Sequence, residues 1–193
     1  MSNQEQPSMV HYAMNFGLVV GVYYILKFFL FPMSLSSTVA GMIFIGLTIV
    51  VPLLIYRITC LYRDRYMGGN VTFSHALAFA MLTMVFGSLL ASVAHYIYFA
   101  YIDGGMMVNA LEQSIEQMVT LLSAENMPEG VAMQDVSIDD YITMLRTTVT
   151  QIKAMTPIDI TMGMLSSNVS WSFVVALPVA LFVSLRRKKQ EKS

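Results

Sequence analysis

Lys27, His95 and Asp103 are the side chains best suited by type and place to do chemistry, because each is an ionisable group in or beside an otherwise apolar run. Inside a low-dielectric medium such groups are costly and must be paired, hydrogen-bonded or used. Along the helices those runs imply, all three fall toward the same end of their spans. A polar cluster of Lys27, His95 and Asp103 is therefore expected, with histidine able to hold or pass a proton near neutral pH. The competing reading keeps them apart as interfacial side chains, with the Lys27 stem laid along its helix and its ammonium in the headgroup layer.

Other constellations are weaker. His75 and His95 are twenty residues apart on one helix, ~30 Å, and cannot share an ion. His11 and His75 fall near one face, but no carboxylate or thiol at ligand spacing accompanies them. No metal site and no cofactor are expected. The 17 methionines read as adaptable packing rather than a soft-metal site, since no tight Met-x-x-Met group with His or Cys occurs. There is no serine–histidine–acid set, phosphate loop, zinc-protease motif or intramembrane carboxylate pair, so no catalytic residue is assigned and an enzyme is not favoured. The single Cys60 allows no internal disulfide and reads as a buried, reduced thiol.

The elements that must position these groups follow from composition. With 56% hydrophobic and 12% charged residues among 193 and a mean hydropathy of +0.62, the chain has too little polar surface for a water-soluble globule. Four apolar runs are long enough to cross a bilayer as helices: residues 13–31, 38–60, 73–102 and 162–185. The first lacks the basic start and the cleavage site of a removable signal, and it is read as retained. Phe31-Pro32-Met33-Ser34 is expected to end it, because proline disfavours helical geometry in the residue before it. A short turn then makes the first two helices antiparallel neighbours. Pro52 lies within the second run and leaves the Thr48 carbonyl without its helical donor, a kink that lipid tolerates only if a neighbouring group compensates. The basic segment 57–70 follows, Gly68-Gly69-Asn70 turns the chain, and Thr72 or Ser74 is suited to cap the third helix. Tyr96, Tyr98, Phe99 and Tyr101 form an aromatic belt at the far end of that helix, and Asp103-Gly104-Gly105 stops it.

Small residues four apart, Gly17 with Gly21 and Gly87 with Ala91, suit close helix packing within the monomer. Ser166, Ser167, Asn168 and Ser170 make a polar patch beside Trp171, read as an interfacial anchor with inter-helix hydrogen bonds, or as the lining of a wet cavity.

Charge is segregated. Nine of the twelve acids lie at 103–159, while five of the eleven bases fall in the last eight residues. Because basic loops are retained on the cytoplasmic side, the 57–65 bases and the carboxy-terminal tail place both termini in the cytoplasm. The long polar segment 103–156 then lies outside, with eight acids against two bases. It carries one apolar stripe of Val108, Leu111, Ile115, Met118 and Leu122, and a second of Ile138, Ile142, Leu145, Val149 and Ile152. A break is read at Asn126-Met127-Pro128-Glu129-Gly130, a cap at Ser137 with Asp140, and another at Thr156-Pro157-Ile158-Asp159. The segment is expected to fold as an acidic helical hairpin, packed on itself or on a second copy.

Gly69-Asn70-Val71-Thr72-Phe73, the Ala-rich span with Gly87, Tyr96-Ile97-Tyr98 and Ile102-Asp103 resemble a bacterial membrane-protein family known as domain of unknown function 4199. Where members commonly carry proline after the acid, this chain has Gly104. The resemblance covers nearly the whole chain in layout. It implies four membrane helices with a polar, acidic helical insertion between the last two, in a bacterial inner membrane, and it implies no activity.

The expected fold is thus an all-α integral membrane protein of three parts. Residues 1–102 hold three spans, 103–156 the outer hairpin, and 157–193 the fourth span with a basic tail. The expected function is that of a structural or interaction protein whose hairpin binds a protein partner or forms a homodimer, with the lipid bilayer as solvent and no nucleic acid. The alternative is a small transporter or channel component, suggested by Pro52, Pro178, Lys27 and His95.

Overall fold

The computed structural model describes residues 8–123 and 138–185, all helical apart from caps and short turns. Six helices follow in order: α1 Met9–Ser36, α2 Thr38–Tyr66, α3 Phe73–Tyr101, α4 Met106–Ser123, α5 Ile138–Ala154 and α6 Pro157–Leu185. Among the described residues four helices, α1, α2, α3 and α6, are long and apolar enough to cross a membrane.

Each boundary has a local chemical cause. Ser8 caps α1 by accepting the His11 N–H, Ser37 caps α2 through the Ala40 N–H, and Thr72 caps α3 through the His75 N–H. The expected stop at Phe31-Pro32 does not occur, because α1 continues through Pro32 to Ser36. Proline removes a single donor, the one the Phe28 carbonyl would accept, and the helix runs on regardless, with the Ser34 hydroxyl donating to the Phe31 carbonyl at 2.6 Å. Nor is 57–70 a basic loop: α2 runs on to Tyr66 and carries Arg57, Arg63 and Arg65 on its last turns. The helix closes where Gly68 and Gly69 adopt φ of 63° and 87°, values that need a residue without Cβ, and the Gly69 N–H returns to the Arg63 carbonyl at 2.9 Å. Arg63 is buried there, donating to the Val183 carbonyl of α6 and paired with Asp64. Cys60 is half-buried.

The centre of the bundle is α3, which packs most extensively on α1 and α6. The expected pairing of α1 with α2 is present, but it is secondary to α1 on α3. Close approach explains the difference. A Cβ built on Gly17 would stand 2.6 Å from Phe86 Cβ, one on Gly21 2.8 Å from Leu90, and one on Gly87 2.8 Å from Val20, with Gly21 N at 3.1 Å. Ala91 on the same helix is fully buried. In lipid, where apolar surface gains little by leaving the solvent, such backbone proximity supplies the dispersion energy that holds helices together. At the opposite end of the bundle from α4, Tyr62 stacks on Phe79 at 3.8 Å between ring centroids, and its hydroxyl meets His75 Nε2 at 2.9 Å.

Helices α4 and α5 pack differently. Ile115 and Val119 of α4 and Val149 of α5 form a small core with Leu111, Ile142 and Leu145 around it. The expected stripe is corrected by one residue at Met118, which is 44% exposed while Val119 is 7% exposed. A narrow heptad seam assumes a long supercoil, whereas two short helices meet across a broader face that admits position 119. Glu112 pairs with Lys153 at 2.7 Å and Glu116 with Arg146 at 3.7 Å, an order that makes the two helices antiparallel at their contact. The expected break at Asn126–Gly130 and the Ser137 cap lie outside the described residues.

Candidate functional site

Side chains from four helices converge in the half of the bundle nearest α4. Lys27 lies nine residues before the end of α1, Thr48 ten residues into α2, His95 six residues before the end of α3 and Asn168 eleven residues into α6. At 1.5 Å per residue all four sit ~9–17 Å below the same end. Two adjoining cavities mark the place. One, of about 290 Å³, is lined by Lys27, Thr48, Pro52, Ser167, Asn168 and Trp171 among others. The second, of about 120 Å³, is lined by Lys27, Phe28, Phe31, His95, Met164 and Asn168, and both share Tyr24 and Phe44.

The Lys27 ammonium has soft partners. It lies 5.1 Å from the Phe44 ring centroid and 5.9 Å from that of Tyr24, and it donates to Thr48 Oγ1 at 3.4 Å. No carboxylate among the described residues stands within salt-bridge distance of it. His95 is 3% exposed, packed against Phe28 with ring centroids 4.2 Å apart, and its Nδ1 makes no hydrogen bond. A buried ring nitrogen without a partner costs free energy that a well-packed apolar residue would not.

Asp103 is placed elsewhere. It is buried on the turn between α3 and α4, where its two carboxylate oxygens accept the Gly105 and Met107 N–H groups, each at 3.0 Å. The carboxylate therefore satisfies orphan donors at the start of α4 and faces the positive end of that helix. It does not line either cavity. Gly104 and Gly105, with φ of 53° and 87°, make the turn tight enough for this double acceptance. Lys27 and His95 thus share a cavity, and Asp103 is a structural cap.

A side-chain donor stands beside the Pro52 turn, but on the carbonyl before the one that Pro52 frees. The Tyr23 hydroxyl of α1 donates to the Leu47 carbonyl, next to the Thr48 carbonyl that Pro52 leaves without a donor, while Thr48 Oγ1 donates back to the Phe44 carbonyl at 2.8 Å. Tyr24, Phe44 and Thr48 are the site residues that the sequence reading did not assemble. A local signal existed for one of them: Tyr24 lies three residues before Lys27, on the same helical face.

The α4–α5 unit is tied to the bundle. The Ser114 hydroxyl of α4 donates to the Leu35 carbonyl at 3.1 Å, and Met107 packs with Phe28, Tyr98 and Phe99. Ahead of α6, Thr156 and Asp159 form the expected reciprocal cap, with the Thr156 N–H donating to Asp159 Oδ2 at 3.0 Å and the Asp159 N–H donating to Thr156 Oγ1 at 3.4 Å. No group of three His, Cys, Asp or Glu among the described residues is placed to hold a metal ion.

Four long apolar helices around a partly polar interior, with two amphipathic helices joined to one end, define a protein of the multi-pass membrane class. The chain belongs to a family of proteins of unknown function (DUF4199), whose model matches residues 15–184. Comparison with curated proteins and with solved structures gives no match.

Proposed function

We propose that the chain is a non-enzymatic interaction protein of a bacterial inner membrane, with both termini in the cytoplasm and the α4–α5 unit outside, where that unit binds a protein partner or a second copy of itself. The distribution of bases supports the orientation, since Arg57, Arg63, Arg65 and the carboxy-terminal basic run fall at one end and the acidic segment at the other. One observation carries the interaction reading. The α4–α5 pair closes its own small core and is anchored to α1, yet it leaves Leu121 75% exposed and Met144 65% exposed. Apolar side chains held out on a supported polar unit are what a partner would cover. The test replaces residues 106–154 by a short linker and follows cross-linking in the native membrane: the wild-type adduct should vanish. A wild-type protein that forms no adduct, together with a linker variant of unchanged phenotype, would remove the reading. Gln151→Cys should label with a membrane-impermeant thiol reagent from outside, and a cysteine added after Ser193 should not.

A second reading, a small transporter or channel component, draws support from Lys27 and His95 lining one cavity beside Pro52. Flux into liposomes carrying the protein, no greater than into empty ones for several ions and pH values, would count against it.

A further inference from the structure

The Lys27 cavity asks for an anion. We propose that the paired cavities between α1, α2, α3 and α6 bind a phosphate-type oxyanion, with Lys27 as its counter-charge and Asn168 and His95 as hydrogen-bonding partners. The inference concerns the bundle alone and holds whichever role the α4–α5 unit has.

Three independent observations carry it. First, Lys27 is a half-buried cation facing two aromatic rings and one hydroxyl, with no acid among the residues that line either cavity. The acid nearest in the sequence to this end, Asp103, is committed to the α4 cap. A desolvated ammonium with only weak partners is stabilised by whichever anion can reach it. Second, His95 lines the same space, is 3% exposed, and has an unpartnered Nδ1. Third, the remaining polar lining includes neutral groups able to donate: the Asn168 amide, the Tyr24 and Ser167 hydroxyls and the Trp171 indole N–H. One fixed positive charge ringed by several neutral donors suits a group with one or two charges and several acceptor oxygens, as a phosphate has.

The surroundings indicate how such a group arrives. The larger cavity is bordered by Trp171, which is 60% exposed, and by Thr48, whose helical neighbours Ile45 and Ile49 are also exposed. An acyl chain could lie on that apolar surface while the headgroup phosphate enters between α2 and α6. Free phosphate would reach the same donors from the aqueous end of the bundle.

Trp171 is the only tryptophan in the chain and it lines the site, so its fluorescence reports on occupancy directly. The full chain is reconstituted into phosphatidylcholine vesicles that contain, at equal mole fraction, either brominated phosphatidylglycerol or brominated phosphatidylcholine. Lipid-borne phosphate at Lys27 should make the anionic quencher roughly fivefold more effective, the size of one lysine–anionic lipid contact at a bilayer surface. The preference should persist in Lys27→Arg and fall to unity in Lys27→Gln. In a second arm, inorganic phosphate is titrated into unbrominated phosphatidylcholine vesicles. A saturable change in Trp171 emission that Lys27→Gln abolishes would assign the site to free phosphate instead. The wild-type protein alone can overturn the proposal, by showing neither a quenching preference nor a phosphate response. A preference that survives Lys27→Gln, in a variant with wild-type emission in pure phosphatidylcholine, would overturn it as well, because the anion would then be held elsewhere.

Discussion

The bundle and the α4–α5 unit solve the same packing problem by opposite means. Around α3 the contacts are made by what is missing: Gly17, Gly21 and Gly87 bring backbones within reach of neighbouring side chains. Between α4 and α5 the contacts are made by what is present, Ile115, Val119 and Val149 pressed together under a rim of ion pairs. In lipid an apolar side chain gains little by meeting another, and proximity decides. In water the gain comes from removing apolar surface, about 25 cal/mol per Å². Small-residue seams therefore mark one region, and an amphipathic stripe the other. Polar groups also differ in kind between them. Those of the bundle interior are few and at least half-buried, as at Lys27 and His95, while those of the α4–α5 unit are numerous and exposed.

Substitutions can break this contrast, and the largest effect should come from the seam. Gly87→Val or Gly17→Val forces a Cβ against Val20 or Phe86 at under 3 Å, where both sides are backbone-proximal and cannot swing aside. A loss of about 3 kcal/mol is expected. The control is Gly46→Ala on α2, where a Cβ meets nothing within 4 Å and helix propensity favours alanine by up to about 1 kcal/mol. Thermal unfolding in nanodiscs checks the pair; equal melting temperatures for Gly87→Val and wild type would sink the close-packing account.

The next effect belongs to the core between α4 and α5. Ile115→Ala should loosen α4 from α5 by about 2 kcal/mol, at the low end for a buried aliphatic because the cluster is small. Met118→Ala, one turn further along the helix but 44% exposed, should cost almost nothing. Limited proteolysis of α5 is the readout, and equal protection in the two variants would contradict the register seen here. Asp103→Ala sits between the two regions. It deprives the Gly105 and Met107 N–H groups of their acceptor and should cost about 1.5 kcal/mol, read as faster amide exchange over the first turn of α4.

The two regions were also unequally legible in the sequence. Four spans follow from hydropathy because length and composition suffice, and the Thr72 and Thr156 caps follow because a cap is a local arrangement of a few residues. Pro32 was misleading for the converse reason, since one missing donor does not by itself end a helix whose neighbouring turns are intact. Met118 and Val119 were exchanged because periodicity identifies a face only to within one position when two helices are short. Lys27 and His95 could be suspected from type alone. Their meeting with Thr48 and Asn168 depends on how α1, α2, α3 and α6 are rotated about their axes, which no single helix encodes. Asp103 looked like a member of that group because it lies toward the same end of the bundle. Its carboxylate is turned by the two glycines after it toward the nearest unsatisfied N–H groups.

The smallest effect expected sharpens the same contrast. Glu112 and Lys153 stand 2.7 Å apart, but their side chains are 42% and 45% exposed, so water and salt screen the pair. Glu112→Gln should weaken the α4–α5 contact by less than about 1 kcal/mol, and the difference from wild type should fade as salt is raised. Protease protection of α5 at low and high ionic strength measures it. A large, salt-insensitive loss would mean that this carboxylate is shielded from solvent in the assembled protein, and so that a partner covers the Glu112 face of the α4–α5 unit. The size of the smallest expected effect is in this way a probe of the interaction reading, because a surface ion pair stays weak only while it remains a surface ion pair.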